Sequence, residues 1–107
     1  MEQNELVVFQ IISAVGSARS SYIEAIQEAK MGNFENARQL MNEGSETFIE
    51  GHRAHAGLIS KEAAGEKVEV SLLLAHAEDQ LMSAEGFKII AEELITVYET
   101  FLVKQNK

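Results

Sequence analysis

The chain has 107 residues, 46% of them apolar, no proline, no cysteine, and 17 acidic against 9 basic side chains for a net charge of −8. That length holds one modest core, the missing cysteine excludes disulfides and thiolate metal sites, and the acidic balance argues against nucleic acid or an anionic membrane surface as a partner. No apolar run reads as reaching the ~20 residues of a bilayer span. The opening MEQNELVVFQ carries acids where a secretory signal would carry Lys or Arg. The expectation is a cytoplasmic protein with no direct membrane insertion.

Proline-free chains suit long helices, because proline is the strongest helix breaker. In the first segment Val8, Ile11, Ile12, Val15, Ala18, Tyr22, Ala25, Ile26 and Ala29 recur at steps of three and four. This predicts a helix with one apolar face over about residues 3–31. Gly32 ends it as a left-handed residue, and Asn33 stands where the next helix would be capped. The stretch MGNFENARQL has the small, glycine, aromatic and alanine order of a tetratricopeptide turn. Such an array repeats at about 34 residues, and at that offset from Met31 stands AGEKVEVSLL, which does not repeat the pattern. A generic helical hairpin is the better reading.

The second segment takes Phe34, Ala37, Leu40, Met41, Phe48, His52, His55 and Ile59 for its inner face and spans about 34–63. Gly44 and Gly51 lie inside it, each costing ~1 kcal/mol relative to alanine, so packing must hold this helix. Ala64 to Lys67 form the connector. The third segment, about 68–104, presents Leu73, Ala77, Leu81, Ala84, Ile90 or Ala91, Leu94, Tyr98 and Leu102. Its opening Val68-Glu69-Val70 alternates like a strand, but a lone strand has no partner here, so it is read as helix. Three long helices with short connectors predict an all-α, antiparallel up-down-up three-helix bundle forming one domain over residues 1–107.

The third helix carries the chemistry. His76, Asp79, Gln80 and Ser83 fall at i, i+3, i+4 and i+7 and share one side, beside the apolar stripe of Leu73, Ala77, Leu81 and Ala84. A solvated surface stripe is the bland reading. Against it, Leu72, Leu73 and Leu74 run consecutively into the site, so this end of the helix is apolar nearly all round and needs cover on several sides. His52 and His55 form an i, i+3 pair that could supply two zinc ligands, but a third is not evident from the sequence; a metal-binding bundle would have to use His76 with them. Packing or hydrogen bonding is the preferred role for the pair. There is no nucleotide-binding glycine loop and no legible hydrolytic triad. What remains is a histidine that takes a group and passes it on, since an ordinary imidazole pKa of ~6.5 leaves the nucleophilic neutral ring available near pH 7.

GEKVEVSLLLAHAEDQLMSA resembles the signature of the IIA component of the lactose/cellobiose class of the sugar phosphotransferase system, whose pattern is close to V-S-L-L-L-V-H-A-Q-D-H-L-M-T. QIISAVGSARSSYIEAIQEAKMGNFENARQLM is similar to that family's first helix and hairpin, and FKIIAEELITVYE to its last turns. The resemblance implies that His76 accepts a phosphoryl group from phospho-HPr and gives it to the cognate IIB component during uptake of a β-linked disaccharide of the lactose, cellobiose or chitobiose type. It also implies a homotrimer, in which three copies of Asp79 gather around Mg²⁺ or a similar divalent cation on the axis. The family commonly has Gln where this chain has Glu78, and His where it has Gln80. Gln80 still offers a neutral donor to phosphoryl oxygens, as does Ser83, whereas an inward Glu78 would repel them. The step of ~200° from His76 to Glu78 on an ideal helix predicts that Glu78 points outward. The alternative function is a non-catalytic helical bundle derived from this family and serving as an interaction or regulatory module. The sugar never touches this chain, so its identity is not written in it.

Overall fold

The computed structural model describes residues 3–105 and comprises three helices: α1 (Gln3–Lys30), α2 (Phe34–Ala63) and α3 (Leu72–Gln105). They form an elongated antiparallel bundle with extents of 60 × 22 × 20 Å. No strand occurs among the described residues. The expected all-α up-down-up architecture is therefore the observed one.

Both connectors turn on a glycine. Gly32 (φ 83°) and Gly65 (φ 93°) occupy the left-handed region that glycine adopts without a Cβ penalty. At the first turn the amides of Gly32 and Asn33 donate to the carbonyls of Ala29 and Glu28, and at the second those of Gly65 and Glu66 donate to Glu62 and Lys61. Each is a Schellman closure, which satisfies the last carbonyls of a helix. Asn33 stands at the N-cap position of α2, but its side chain makes no cap bond. Its Nδ2 instead donates to Glu28 Oε2 at 2.8 Å.

The third helix begins four residues later than the hydrophobic pattern predicts. Glu66 to Ser71 run without regular structure, and Val68-Glu69-Val70 is neither helix nor strand. Ser71 sets the start: its Oγ accepts from the Leu74 amide at 3.0 Å, and its carbonyl accepts the Ala75 amide at 3.0 Å. A serine doing both is an N-cap, and it outweighs the apolar run before it.

The core has two parts along the bundle. Val8, Ile11, Val15, Leu58, Leu74, Ala77, Leu81 and Ala84 pack at the end near the second connector. Ala18, Tyr22, Ala25, Ala29, Ala37, Met41, Ala91 and Ile95 pack toward the first turn. The core face of α3 thus runs through Leu74, Ala91 and Ile95, with Leu73 only half-buried and Ile90 and Leu94 exposed. In α2 the inward residue is Leu58, and Ile59 is exposed. Gly44 and Gly51 are both buried against α1. A Cβ at Gly44 would stand 2.7 Å from the Tyr22 ring, and one at Gly51 would stand 2.9 Å from Val15 Cγ1. The two glycines are what lets α1 and α2 approach, which accounts for their presence inside a helix they weaken.

Against the sequence reading, α1 is by length and composition apolar enough to suit a membrane span. Its apolarity has another explanation in the bundle: Val8, Ile11, Val15, Ala18 and Tyr22 are buried against α2 and α3.

Candidate functional site

The Ser71 cap places His76 in the second turn of α3. Ala77, Leu81 and Ala84 fix the rotation of this stretch by facing the core. His76 then falls on an exposed flank of the helix, together with exposed Leu72 and Ser83. Asp79 stands two residues, about 200°, beyond Ala77 and points away from the core. Gln80 falls on the same flank as His76 but nearer the core, and is half-buried.

The Leu72–Leu74 run splits as a single chain allows. Leu74 is buried at 6% exposure, Leu73 is half-buried, and Leu72 is left 89% exposed. The apolar surface does not stop there. Met82, Ile89, Ile90, Leu94, Val97 and Phe101 continue along α3 on the side away from the core. An exposed apolar stripe of this length on a solvent-facing helix is the kind of surface that interfaces cover.

Two cross-helix ties hold the turn after His76. Arg19 of α1 donates through Nη1 to Gln80 Oε1 at 2.6 Å. His55 of α2 pairs through Nε2 with Glu78 Oε1 at 2.9 Å. Glu78 therefore faces away from His76 as the ~200° step predicts, but it is half-buried and turned across to α2 rather than simply solvated. The physical reason is that α2 presents a hydrogen-bonding ring on that side, which an isolated-helix projection cannot include. The consequence for His76 is favourable, because the carboxylate is held on the opposite flank of α3.

His52 and His55 do not act together. His52 is exposed and its ring stacks on Phe48, with centroids 6.2 Å apart and planes 20° apart. Among the described residues, no three His, Asp or Glu side chains converge as a metal site within one chain would require. The pair serves packing and hydrogen bonding. Arg19 escaped sequence reasoning. Its signal was available: it is the only charged residue between Glu5 and Glu24, set one position off the apolar face of α1.

An antiparallel three-helix bundle whose third helix offers an exposed histidine, with an amide donor one turn away and an apolar stripe alongside, defines an all-α domain with an open, solvent-facing site rather than an enclosed active site. Residues 6–99 match the family model described as the lactose/cellobiose-specific IIA subunit of the PTS system. The chain belongs to this family of phosphotransferase-system IIA components. It is 44% identical over 98 residues to the lichenan-specific phosphotransferase enzyme IIA component of Bacillus subtilis (strain 168), covering 92% of this chain and 89% of that one. The cellobiose-specific enzyme IIA from Bacillus anthracis superposes with a TM-score of 0.94 at 41% identity, over 97% of this chain and 95% of that one. The IIA(chitobiose) chain, solved in solution with HPr from the N,N'-diacetylchitobiose branch of the Escherichia coli system, gives 0.82 at 34% identity over 94% and 98%.

Proposed function

We propose that this chain is a cytoplasmic phosphohistidine carrier in which His76 accepts a phosphoryl group from phospho-HPr and delivers it to a cognate IIB component. The sugar taken up is a β-linked disaccharide of the lactose, cellobiose or chitobiose type. One observation carries the assignment: in a chain of the IIA family, the histidine of the third helix stands exposed beside a half-buried amide donor and an exposed leucine. The solved complex of the IIA(chitobiose) relative with HPr supports the donor.

The chemistry asks little of the chain beyond position. The neutral imidazole supplies a nitrogen lone pair, and the bond from phosphorus to the donor breaks as the bond to His76 forms. In-line transfer of this kind needs access and a few donors aimed at the phosphoryl oxygens. Exposure of His76 supplies access for two successive protein partners. Gln80, one turn or about 6 Å along the axis, is the nearer donor, and Ser83 lies about 10 Å along the same flank. A carrier needs a labile phosphoryl group, and a neutral amide holds one less tightly than a bidentate arginine would.

The apolar stripe of α3 supports assembly as a homotrimer, the three third helices packing through Met82, Ile90, Val97 and Phe101. Asp79 lies on the same side. Three carboxylates converging on an axis repel unless a cation intervenes, and their hard oxygens suit Mg²⁺ or a similar divalent ion. Such an ion, when bound, would offset two of the three Asp79 charges.

The test is transfer from phosphoenolpyruvate through enzyme I and HPr, read by intact mass. One added phosphate that is acid-labile and absent from His76→Ala is the expected result. A folded wild-type trimer that takes no phosphate would leave the chain a non-catalytic bundle.

A further inference from the structure

We infer that Arg19 is a positioning residue for phosphoryl transfer, acting through Gln80; this rests on His76 being the carrier. A guanidinium can only donate hydrogen bonds, so the group Gln80 presents to Arg19 must be its carbonyl oxygen. The 2.6 Å contact between Arg19 Nη1 and Gln80 Oε1 therefore fixes which way round the amide sits. With the oxygen turned to α1, the NH₂ edge is the one left for a phosphoryl group on His76, a turn earlier on the same flank. Without the tie the amide could rotate and present its oxygen, which repels phosphoryl oxygens.

The placement of Arg19 supports the role. It is half-buried on α1, in a stretch of 18 residues that holds no other charge. Arg19 forms no ion pair among the described residues, in contrast to Arg38 and Lys88, which pair with Glu99 and Glu92. A guanidinium that meets a neutral carbonyl keeps its full charge, and that charge polarises the amide it holds. Bonds in which one partner is ionised are about twice as strong as neutral ones, enough to hold a single orientation. The chain thereby obtains an oriented donor beside His76 without placing the arginine itself on the phosphate.

Transfer from phospho-HPr should slow about tenfold in Arg19→Met, the size of effect that loss of one oriented hydrogen bond produces. Arg19→Lys, which can still donate to the carbonyl, should recover most of the rate. Gln80→Glu separates positioning from structure: it keeps or strengthens the tie to Arg19 and the thermal stability, yet lacks a donor and should transfer slowly. In a Gln80→Leu background, Arg19→Met should have no further effect. In the unphosphorylated protein, Arg19→Met should also shift and broaden the Gln80 side-chain amide resonance, with the remaining spectrum preserved. Wild-type transfer by Arg19→Met, or an undiminished slowing in the Gln80→Leu background, would overturn the inference while leaving the carrier assignment intact. A wild-type chain that takes no phosphate would remove both.

Discussion

The residues flanking His76 show how neighbours decide what a side chain does. Glu78 and Gln80 stand where the family commonly has Gln and His, and both are engaged from other helices. His55 draws the Glu78 carboxylate toward α2, and Arg19 turns the Gln80 oxygen toward α1. The departures therefore leave the exposed flank of His76 open to a partner. Tyr22 illustrates burial at the same scale. Its ring is fully buried, and burial lifts the phenol above its ordinary value of 10.0, with the Ser45 hydrogen bond opposing and the Glu92 charge adding. A raised folded-state value means the unfolded chain gives up this proton more readily. The corresponding stability is complete below pH 10, and is lost as pH rises through the folded value. Tyr22 should form tyrosinate at the ordinary pH only after denaturation. Alkaline absorbance titration with and without guanidinium checks this, and Tyr22→Phe should reduce the alkaline fall in Tm.

Helix α2 is held by its contact with α1 rather than by its own propensity. Gly44→Ala gains helix propensity but drives a methyl into a fully buried ring and within 3.1 Å of the Ala18 carbonyl. We expect a net loss of about 1–3 kcal/mol, seen as a lower Tm. Gly57, in the same helix, has nothing within 4 Å of the added carbon. Gly57→Ala should therefore raise stability by up to about 1 kcal/mol. The opposite signs at two glycines of one helix separate close approach from flexibility. For α3 the start depends on one hydroxyl. Ser71→Ala removes the bond to the Leu74 amide and should cost about 1 kcal/mol by chemical denaturation.

At the scale of the molecule, the single chain leaves a long apolar stripe uncovered on α3, from 72% exposed Met82 to 60% exposed Phe101. Three copies packed through that stripe would cover it and bring the Asp79 carboxylates together. Val97→Asp places a charge in the middle of the stripe and should release monomers in sedimentation while helical circular dichroism persists. Chelation of divalent ions should lower the wild-type Tm, and Asp79→Asn should make Tm insensitive to chelator. A metal-independent Tm in a wild-type trimer would show that the three acids are accommodated another way.

The sequence by itself determined the helices and their order, and it singled out His76 as the candidate carrier. Apolar spacing of three and four, the glycines at 32 and 65, and the motif around His76 are all local or periodic properties, and each is expressed within one helix or turn. Local pattern failed where a second element competed. Val68 and Val70 looked like the start of α3 until the Ser71 cap excluded them, and Ile90 looked as inward as Ala91 until packing set the rotation. The glycines inside α2 read as a cost, and only the position of Tyr22 and Val15 turned them into a requirement. Arg19 and Gln80 lie 61 residues apart, as His55 and Glu78 lie 23 apart. Bonds across that separation exist only once the bundle has closed, so the histidine was legible in the chain, and the orientation of the groups around it belongs to the tertiary structure.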